Sequence, residues 1–172
     1  MKLVSKNLFK KLIRYLPILI LYIIVFTGFD SSFIFYDINF SFNFAYLLIF
    51  FFVLKNPEAL SYGLIFFSGI INDIVQNLPI GISSINFLLL CAIAAFIRTR
   101  MVLPNLLYDW ILFLIAILIV SSINYNVLSI IFESPIRYET LMLSAFITFL
   151  IYPIFSKVFS NRILLILRTG DD

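Results

Sequence analysis

The feature that most constrains this chain is a series of long apolar runs whose charged residues stand almost entirely at the ends of the runs. A helix needs about 20 mostly apolar residues to cross the roughly 30 Å hydrocarbon layer of a membrane, and about 17 to 25 are tolerated. We predict membrane spans over residues 13–29, 40–54, 60–75, 82–97, 106–123 and 141–159. The pattern therefore indicates an all-α membrane protein, a polytopic bundle of six transmembrane helices within a single integral membrane domain, residues 1–172.

Composition excludes an ordinary soluble domain. Hydrophobic residues make up 63% of the chain and charged residues only 12%, whereas soluble domains are about half apolar and about a quarter charged. A domain of about 170 residues hides only about two-thirds of its surface on folding. The surplus apolar surface therefore needs lipid as its solvent.

The distribution of basic residues predicts that both termini lie in the cytoplasm. With six spans in that orientation, eleven of the 12 Lys and Arg residues fall in cytoplasmic segments, and Arg137 alone falls in an outer loop. This asymmetry is typical of inner-membrane proteins. Merging the third and fourth spans would place basic residues on both sides of the membrane. It would also bury the polar residues between Asn72 and Gly81. We therefore predict a multi-pass protein of the bacterial inner membrane.

Several segments near the spans carry expectations of their own. The basic N-terminus lacks a small-residue cleavage site after its apolar run, so we predict an uncleaved first span. Residues 127–132 could form a re-entrant or interfacial turn. Residues 163–167 could continue the last span or lie on the membrane surface, and their basic flanks favour the surface. Pro153 is expected to kink the last span, which a membrane helix tolerates when neighbours satisfy the freed carbonyl.

The residues needed for common catalytic chemistry are missing from the sequence. The chain has no histidine and one cysteine, Cys91, which excludes Ser-His and Cys-His catalysis, histidine-ligated metals and thiolate clusters. Neither a phosphate-binding loop nor a dinucleotide-binding loop occurs. We predict a protein that is not an enzyme and needs no cofactor or metal, and whose basic residues do not form a nucleic-acid surface.

The third span carries a polar face. Gly69, Asn72, Asp73 and Gln76 share one side of a helix by their spacing, and such a side avoids lipid tails. It could form a seam for partner binding or folding. Asp73 could instead lie at the membrane interface and cap the following turn, or form part of a proton or ion site with a second ionisable group.

The other carboxylate near a span is Asp109, next to Trp110. By the predicted topology it lies at the cytoplasmic end of the fifth span, opposite to Asp73. We expect both Asp109 and Trp110 to be interfacial residues.

The segment around the third and fourth spans resembles the rod shape-determining protein MreD family. That family has a Gly, an Asp four residues later and a Gly eight residues after the Asp, and Gly69, Asp73 and Gly81 have these spacings here, with Pro79 at a common Pro position. The chain departs from the family pattern at three positions, where the family commonly has Gly, Leu and His: Asn77, Ile80 and Ser83.

The resemblance implies a non-enzymatic subunit of the cell-elongation (rod-shape) complex, which maintains cell shape. Its partners would be an MreC-like protein and, through it, MreB and the peptidoglycan synthases, in contact with membrane lipid. Within that reading we expect a structural and partner-docking hairpin shaped by five residues: Gly69, Asn72, Asp73, Pro79 and Gly81.

An alternative function is the substrate-binding membrane subunit of an energy-coupling-factor type importer, whose size and number of spans are similar. Such subunits commonly carry an Ala-x-x-x-Ala surface on the first helix, and the first predicted span, residues 13–29, contains no alanine. A small-molecule pocket would also need several polar groups in the outer loops, and this chain has few there.

Overall fold

The chain folds into a helical bundle. The computed structural model describes residues 16–28, 33–35, 38–40, 42–100, 105–131 and 138–168, with side chains described for 16–28, 42–57, 59–100, 105–130 and 139–160. Within these residues the elements, in chain order, are α1 (Leu16–Thr27), β1 (Phe33–Phe35), β2 (Ile38–Phe40), α2 (Phe44–Lys55), a 3-10 turn (Pro57–Ala59), α3 (Tyr62–Val75), α4 (Ile82–Arg100), α5 (Leu106–Ile131) and α6 (Tyr138–Arg168).

Three of the helices, α4, α5 and α6, are long and apolar enough to cross a membrane. The helices α1, α2 and α3 are apolar but shorter. The 12 residues of α2 cover about 18 Å and the 14 residues of α3 about 21 Å, at 1.5 Å per residue. The length and hydropathy of the apolar runs thus correctly predict a helix in each of the six predicted spans. The observed helices, however, vary in length much more than the predicted spans, which are all of similar length.

Helix α2, of 12 residues, lies at the centre of the bundle. Every residue from Ala45 to Leu54 is buried. A helix that is apolar on all sides has no face suited to water and is buried wherever other helices can surround it. Because α2 is enclosed by protein, its length does not have to match the thickness of the lipid.

Aromatic side chains of α2 contact two of the long helices. The Phe50 ring lies 5.1 Å from Phe113 of α5 and 5.9 Å from Tyr152 of α6, measured between ring centroids. Phe51 contacts Phe155 of α6 edge to face at 6.0 Å. Such aromatic pairs add about 0.5–1.5 kcal/mol each to what burial provides. The three consecutive phenylalanines 50–52 thus contribute to the centre of the core.

The proline in the middle of α6 does not end that helix, which continues on both sides of Pro153. Proline lacks an N–H group, so the carbonyl of Phe149, four residues earlier, loses its helical partner. The indole Nε1 of Trp110 donates a hydrogen bond to this carbonyl at 2.8 Å, and the Trp110 ring stacks on Phe149. A side chain of the neighbouring helix α5 therefore satisfies the carbonyl that Pro153 frees. Trp110 is half-buried and packs between α5 and α6, while its predicted position at the membrane interface stays a prediction.

The second predicted span begins later than predicted. Residue 40 ends β2, which pairs antiparallel with β1, and the helix starts only at Phe44. The Asn43 amide donates to Thr148 Oγ1 at 3.1 Å, and its side chain donates to Ser144 Oγ at 3.4 Å. These bonds to α6 fix the point at which α2 begins, and hydropathy alone does not reveal them.

Two segments at the ends of spans continue the preceding helices. Residues 127–131 belong to α5 and form no turn, and residues 163–167 continue α6, which is one of the two possibilities left open for that segment. In α5 the Asn126 side chain donates to the Ser122 carbonyl at 2.7 Å, so this polar residue bonds within the helix and does not interrupt it. Phe132 and the basic segment 2–14 lie outside the described residues.

We predict that Phe50→Ala destabilises the protein much more than Phe67→Ala, a change at an exposed position of α3. The loss at Phe50 should be about 2–3 kcal/mol and should come mainly from a cavity and lost dispersion contacts, since detergent or lipid solvates apolar groups well. Thermal unfolding of both variants in the same detergent measures the difference. Equal losses would contradict the central position of α2.

Candidate functional site

The turn between α3 and α4 has a defined hydrogen-bonding pattern. The amide of Leu78 bonds to the Asp73 carbonyl at 2.9 Å and that of Asn77 to the Ile74 carbonyl at 3.4 Å. Asn77 has a φ of 54°. Together these make a Schellman ending, in which a residue with positive φ closes the helix. Asparagine tolerates that conformation better than most residues do, which explains how it replaces the glycine common in the resembling family.

The Asp73 side chain binds the start of the next helix. Its carboxylate oxygens accept hydrogen bonds from the Gly81 amide at 2.7 Å and the Ser83 amide at 2.9 Å. The first amides of a helix have no partner within the helix and attract negative charge. Gly81 stands where a capping side chain would be, and its φ of 105° suits glycine. Asp73 therefore caps α4 from the neighbouring helix.

Gly69 is the point of closest approach between α3 and α4. A Cβ atom at this position would lie 2.4 Å from Ser84 Cα and 2.5 Å from Ser84 N. The Ser84 hydroxyl donates to the Phe66 carbonyl at 2.9 Å. Small residues let membrane helices approach closely enough for such bonds. Any side chain at Gly69 would push the two backbones apart.

Asn72 continues the same seam. Its Nδ2 donates to Ser83 Oγ at 2.9 Å, and its Oδ1 accepts a bond from Gln76 Nε2 at 3.2 Å. Ser83, which stands where the resembling family often has His, thus uses both its amide and its hydroxyl within the hairpin. Pro79 precedes α4, and its carbonyl accepts the Ile82 amide at 3.4 Å.

The structure brings all five of the predicted hairpin residues together, and the polar ones face α4 of the same chain. Asp73 is fully buried, and its carboxylate bonds backbone amides. This geometry directly accounts for a role in folding, in which Asp73 caps the turn from an enclosed position. Partner docking by the hairpin stays a prediction, and it would have to use the exposed outer face, which consists of Ile74, Val75 and Ile80.

A second polar cluster lies where α2 ends and α5 begins. Lys55 Nζ lies 2.5 Å from Asp109 Oδ2, and the Asp109 side chain is 2% exposed while that of Lys55 is 31% exposed. Asp109 also stands in the first turn of α5, where the helix dipole favours a carboxylate. The structure adds that Asp109 is buried and paired within the bundle, and its interfacial depth in the membrane stays a prediction.

Sequence reasoning missed this ion pair because both residues were assigned separately to span ends. The sequence does contain a sign of the pair. Successive spans cross in alternating directions, so a Lys at the end of the second span and an Asp at the start of the fifth lie on the same side of the bundle.

Tyr152 lies near the pair, and its hydroxyl and Asp109 Oδ1 are buried without a hydrogen-bond partner among the described residues. The cluster thus joins α2 and α5 beside α6.

We predict that Gly69→Ala strongly destabilises the hairpin, whereas Gly63→Ala in the same helix does not. A Cβ at Gly63 meets nothing within 4 Å, so that change should be neutral or should stabilise the helix by up to about 1 kcal/mol. Thermal unfolding in detergent compares the two. A stable Gly69→Ala protein would show that α3 and α4 do not approach as closely as described.

We also predict that Lys55→Met costs about 2–3 kcal/mol, because it leaves a buried carboxylate without its counter-charge, with some relief from water near the partly exposed lysine. Adding Asp109→Leu should restore most of the stability, since an apolar pair can replace a buried ion pair at little cost. Unfolding of both single variants and the double variant closes the cycle. Additive losses would argue against direct coupling.

Comparisons of the chain with protein-family models, curated proteins and solved structures found no match in any of the three. The family resemblance therefore depends on the hairpin residues themselves. What the structure contributes is a physical reason for a small residue at 69, a carboxylate at 73 and a glycine at 81.

Proposed function

We propose that this chain is a six-span protein of the bacterial inner membrane with both termini in the cytoplasm. Three helices are long enough to cross a membrane. The short helices fit the proposal because α2 is enclosed by protein and α3 is joined to α4 by hydrogen bonds along its length. In this orientation the Lys55–Asp109 pair lies towards the cytoplasm and the α3–α4 turn towards the periplasm.

Within that membrane, the function we propose is that of an MreD-like, non-enzymatic subunit of the rod-shape complex. The observation that carries the proposal is the Asp73 cap, in which one motif residue bonds to the backbone at another, Gly81. A spacing of eight residues between Asp and Gly is what this geometry needs, because the helix must end, turn and present a new helix start to the carboxylate. The same geometry would serve in any protein with this motif.

The hairpin offers a rigid outer face for a partner. The inward hydrogen bonds of Asn72, Asp73 and Ser84 hold the turn in one conformation, and a preformed surface loses little entropy on binding. Ile80 at the turn is 75% exposed. In the proposed orientation Ile80 faces the periplasm. An MreC-like partner would contact it on that side and would link the chain to MreB and the wall synthases.

The test is an affinity pull-down of the tagged full chain from native membranes in mild detergent. The outer-face variant is Ile80→Ser, and the matched control is Ile130→Ser, because Ile130 is 74% exposed at the far end of α5, on the same side of the membrane in the proposed topology. The proposal expects MreC and wall synthases with the unaltered chain, and recovery lower by about fivefold with Ile80→Ser alone, as expected for loss of a single well-packed contact.

Other outcomes would overturn parts of the proposal. Equal recovery with both variants would remove the hairpin face from the interface while leaving the complex in place. Co-purification of paired ATPases with a second membrane subunit would replace the rod-shape function by the importer function. Asp73→Leu is unsuitable as the first variant, since it removes the cap of α4 and would confound folding with binding.

A further inference from the structure

An open groove runs along the outside of the bundle between α4 and α5. It has a volume of about 470 Å³, and its lining is apolar, with Phe96 and Ile97 on α4 and Leu112, Ile115 and Ile119 on α5. Both helices are long enough to cross a membrane. In a membrane, an apolar groove on the outside of two such helices suits a hydrocarbon chain.

A cationic side chain lies one helical turn beyond the groove residue Phe96. Arg100, the last residue of α4, places its guanidinium 5.3 Å from the centroid of the Phe96 ring. By helical geometry residues 92, 96 and 100 follow one another on the same face, so Arg100 continues the line of groove residues. It is exposed and forms no ion pair within the described part of the chain.

The facing helix supplies a tyrosine at the same end. Tyr108 stands four residues before Leu112 and seven before Ile115, on the face of α5 that lines the groove. It is 63% exposed. Tyrosines at such positions place the ring against lipid and the hydroxyl among headgroups. Just beyond one end of the apolar groove, the two helices thus carry a guanidinium and a phenol hydroxyl, both suited to a phosphate.

We propose that the α4–α5 groove binds one anionic phospholipid, with an acyl chain along Phe96, Ile115 and Ile119 and its phosphate at Arg100 and Tyr108. The distance from residue 100 back to residue 92 is about 12 Å along the helix, so the groove can hold an extended part of an acyl chain below the headgroup. Charge complementarity selects an anionic lipid, since Arg100 has no carboxylate partner among the described residues. The site goes beyond the proposed function and needs only that α4 and α5 lie in a membrane.

Arg98 provides a matched control for the headgroup contact. It is exposed at the same helix end and carries the same charge, but its position on the helix is nearly opposite to the groove face, on the side of Cys91 and Ala94, which are buried. General attraction of basic residues to the membrane surface, or to the end of the helix dipole, would affect Arg98 and Arg100 alike.

The experiment is native mass spectrometry of the full chain, delipidated in detergent and titrated with phosphatidylglycerol or with phosphatidylcholine of identical acyl chains. We expect tighter binding of one phosphatidylglycerol, weakened about fivefold by Arg100→Gln and unchanged by Arg98→Gln. Ile115→Trp, which fills the groove, should reduce the binding of both lipids. Inorganic phosphate should fail to compete, because the acyl chain supplies much of the affinity.

Three results would overturn the proposal. Equal binding of the two lipids by the unaltered chain would show that the headgroup is not recognised. Equal losses in the two arginine variants would assign the preference to general charge. A mass corresponding to two chains without a bound lipid would mean that a second copy occupies the groove. Gel filtration and circular dichroism of each variant confirm that the fold is intact.

Discussion

Backbone amides and carbonyls that lie within a membrane need hydrogen-bond partners in the protein, because lipid tails offer none. In this chain the helical ladder is interrupted at several places, and a side chain from another helix serves three of them. Asp73 binds the amides at the start of α4, Trp110 binds the carbonyl freed by Pro153, and Thr148 accepts the Asn43 amide where α2 begins. The side chains that satisfy these backbone groups therefore also hold the helices together. The positions at which the helices begin and end depend on these contacts.

The two buried carboxylates in the described part of the chain are stabilised in different ways. Asp73 bonds the amides of a helix start, a neutral environment whose dipole favours the anion, whereas Asp109 bonds a lysine. A charge in an apolar surrounding is tolerable only with such compensation. Asp73 thereby fixes one end of the α3–α4 hairpin, and Asp109 joins α2 to α5 near the other side of the bundle. Neither arrangement requires a catalytic role, which fits the proposal of a structural subunit.

The exposed surfaces follow from this internal organisation. Because the polar groups of the hairpin bond one another, its outer face presents apolar side chains such as Ile74 and Ile80. Because α4 uses one side for α3 and for the core, its opposite side is left to form the groove with α5. A protein partner would bind at the α3–α4 turn, whereas a lipid would bind along the groove between α4 and α5. The two surfaces do not overlap, so both proposals are compatible with one bundle.

Hydropathy and charge in the sequence determined the class of the protein, the number of helices and the polar face of α3, because the cost of placing polar groups in lipid acts on each segment separately. The polar residues, Pro79 and Gly81 between the third and fourth apolar runs likewise predicted two helices joined by a turn. Only the tertiary structure decided that α2 is central and short, that α5 and α6 continue beyond the predicted spans, and that Lys55 and Asp109 form a pair. These features depend on which helices are neighbours, and a carboxylate at the end of an apolar run has the same local sequence whether it meets water or a lysine from another helix.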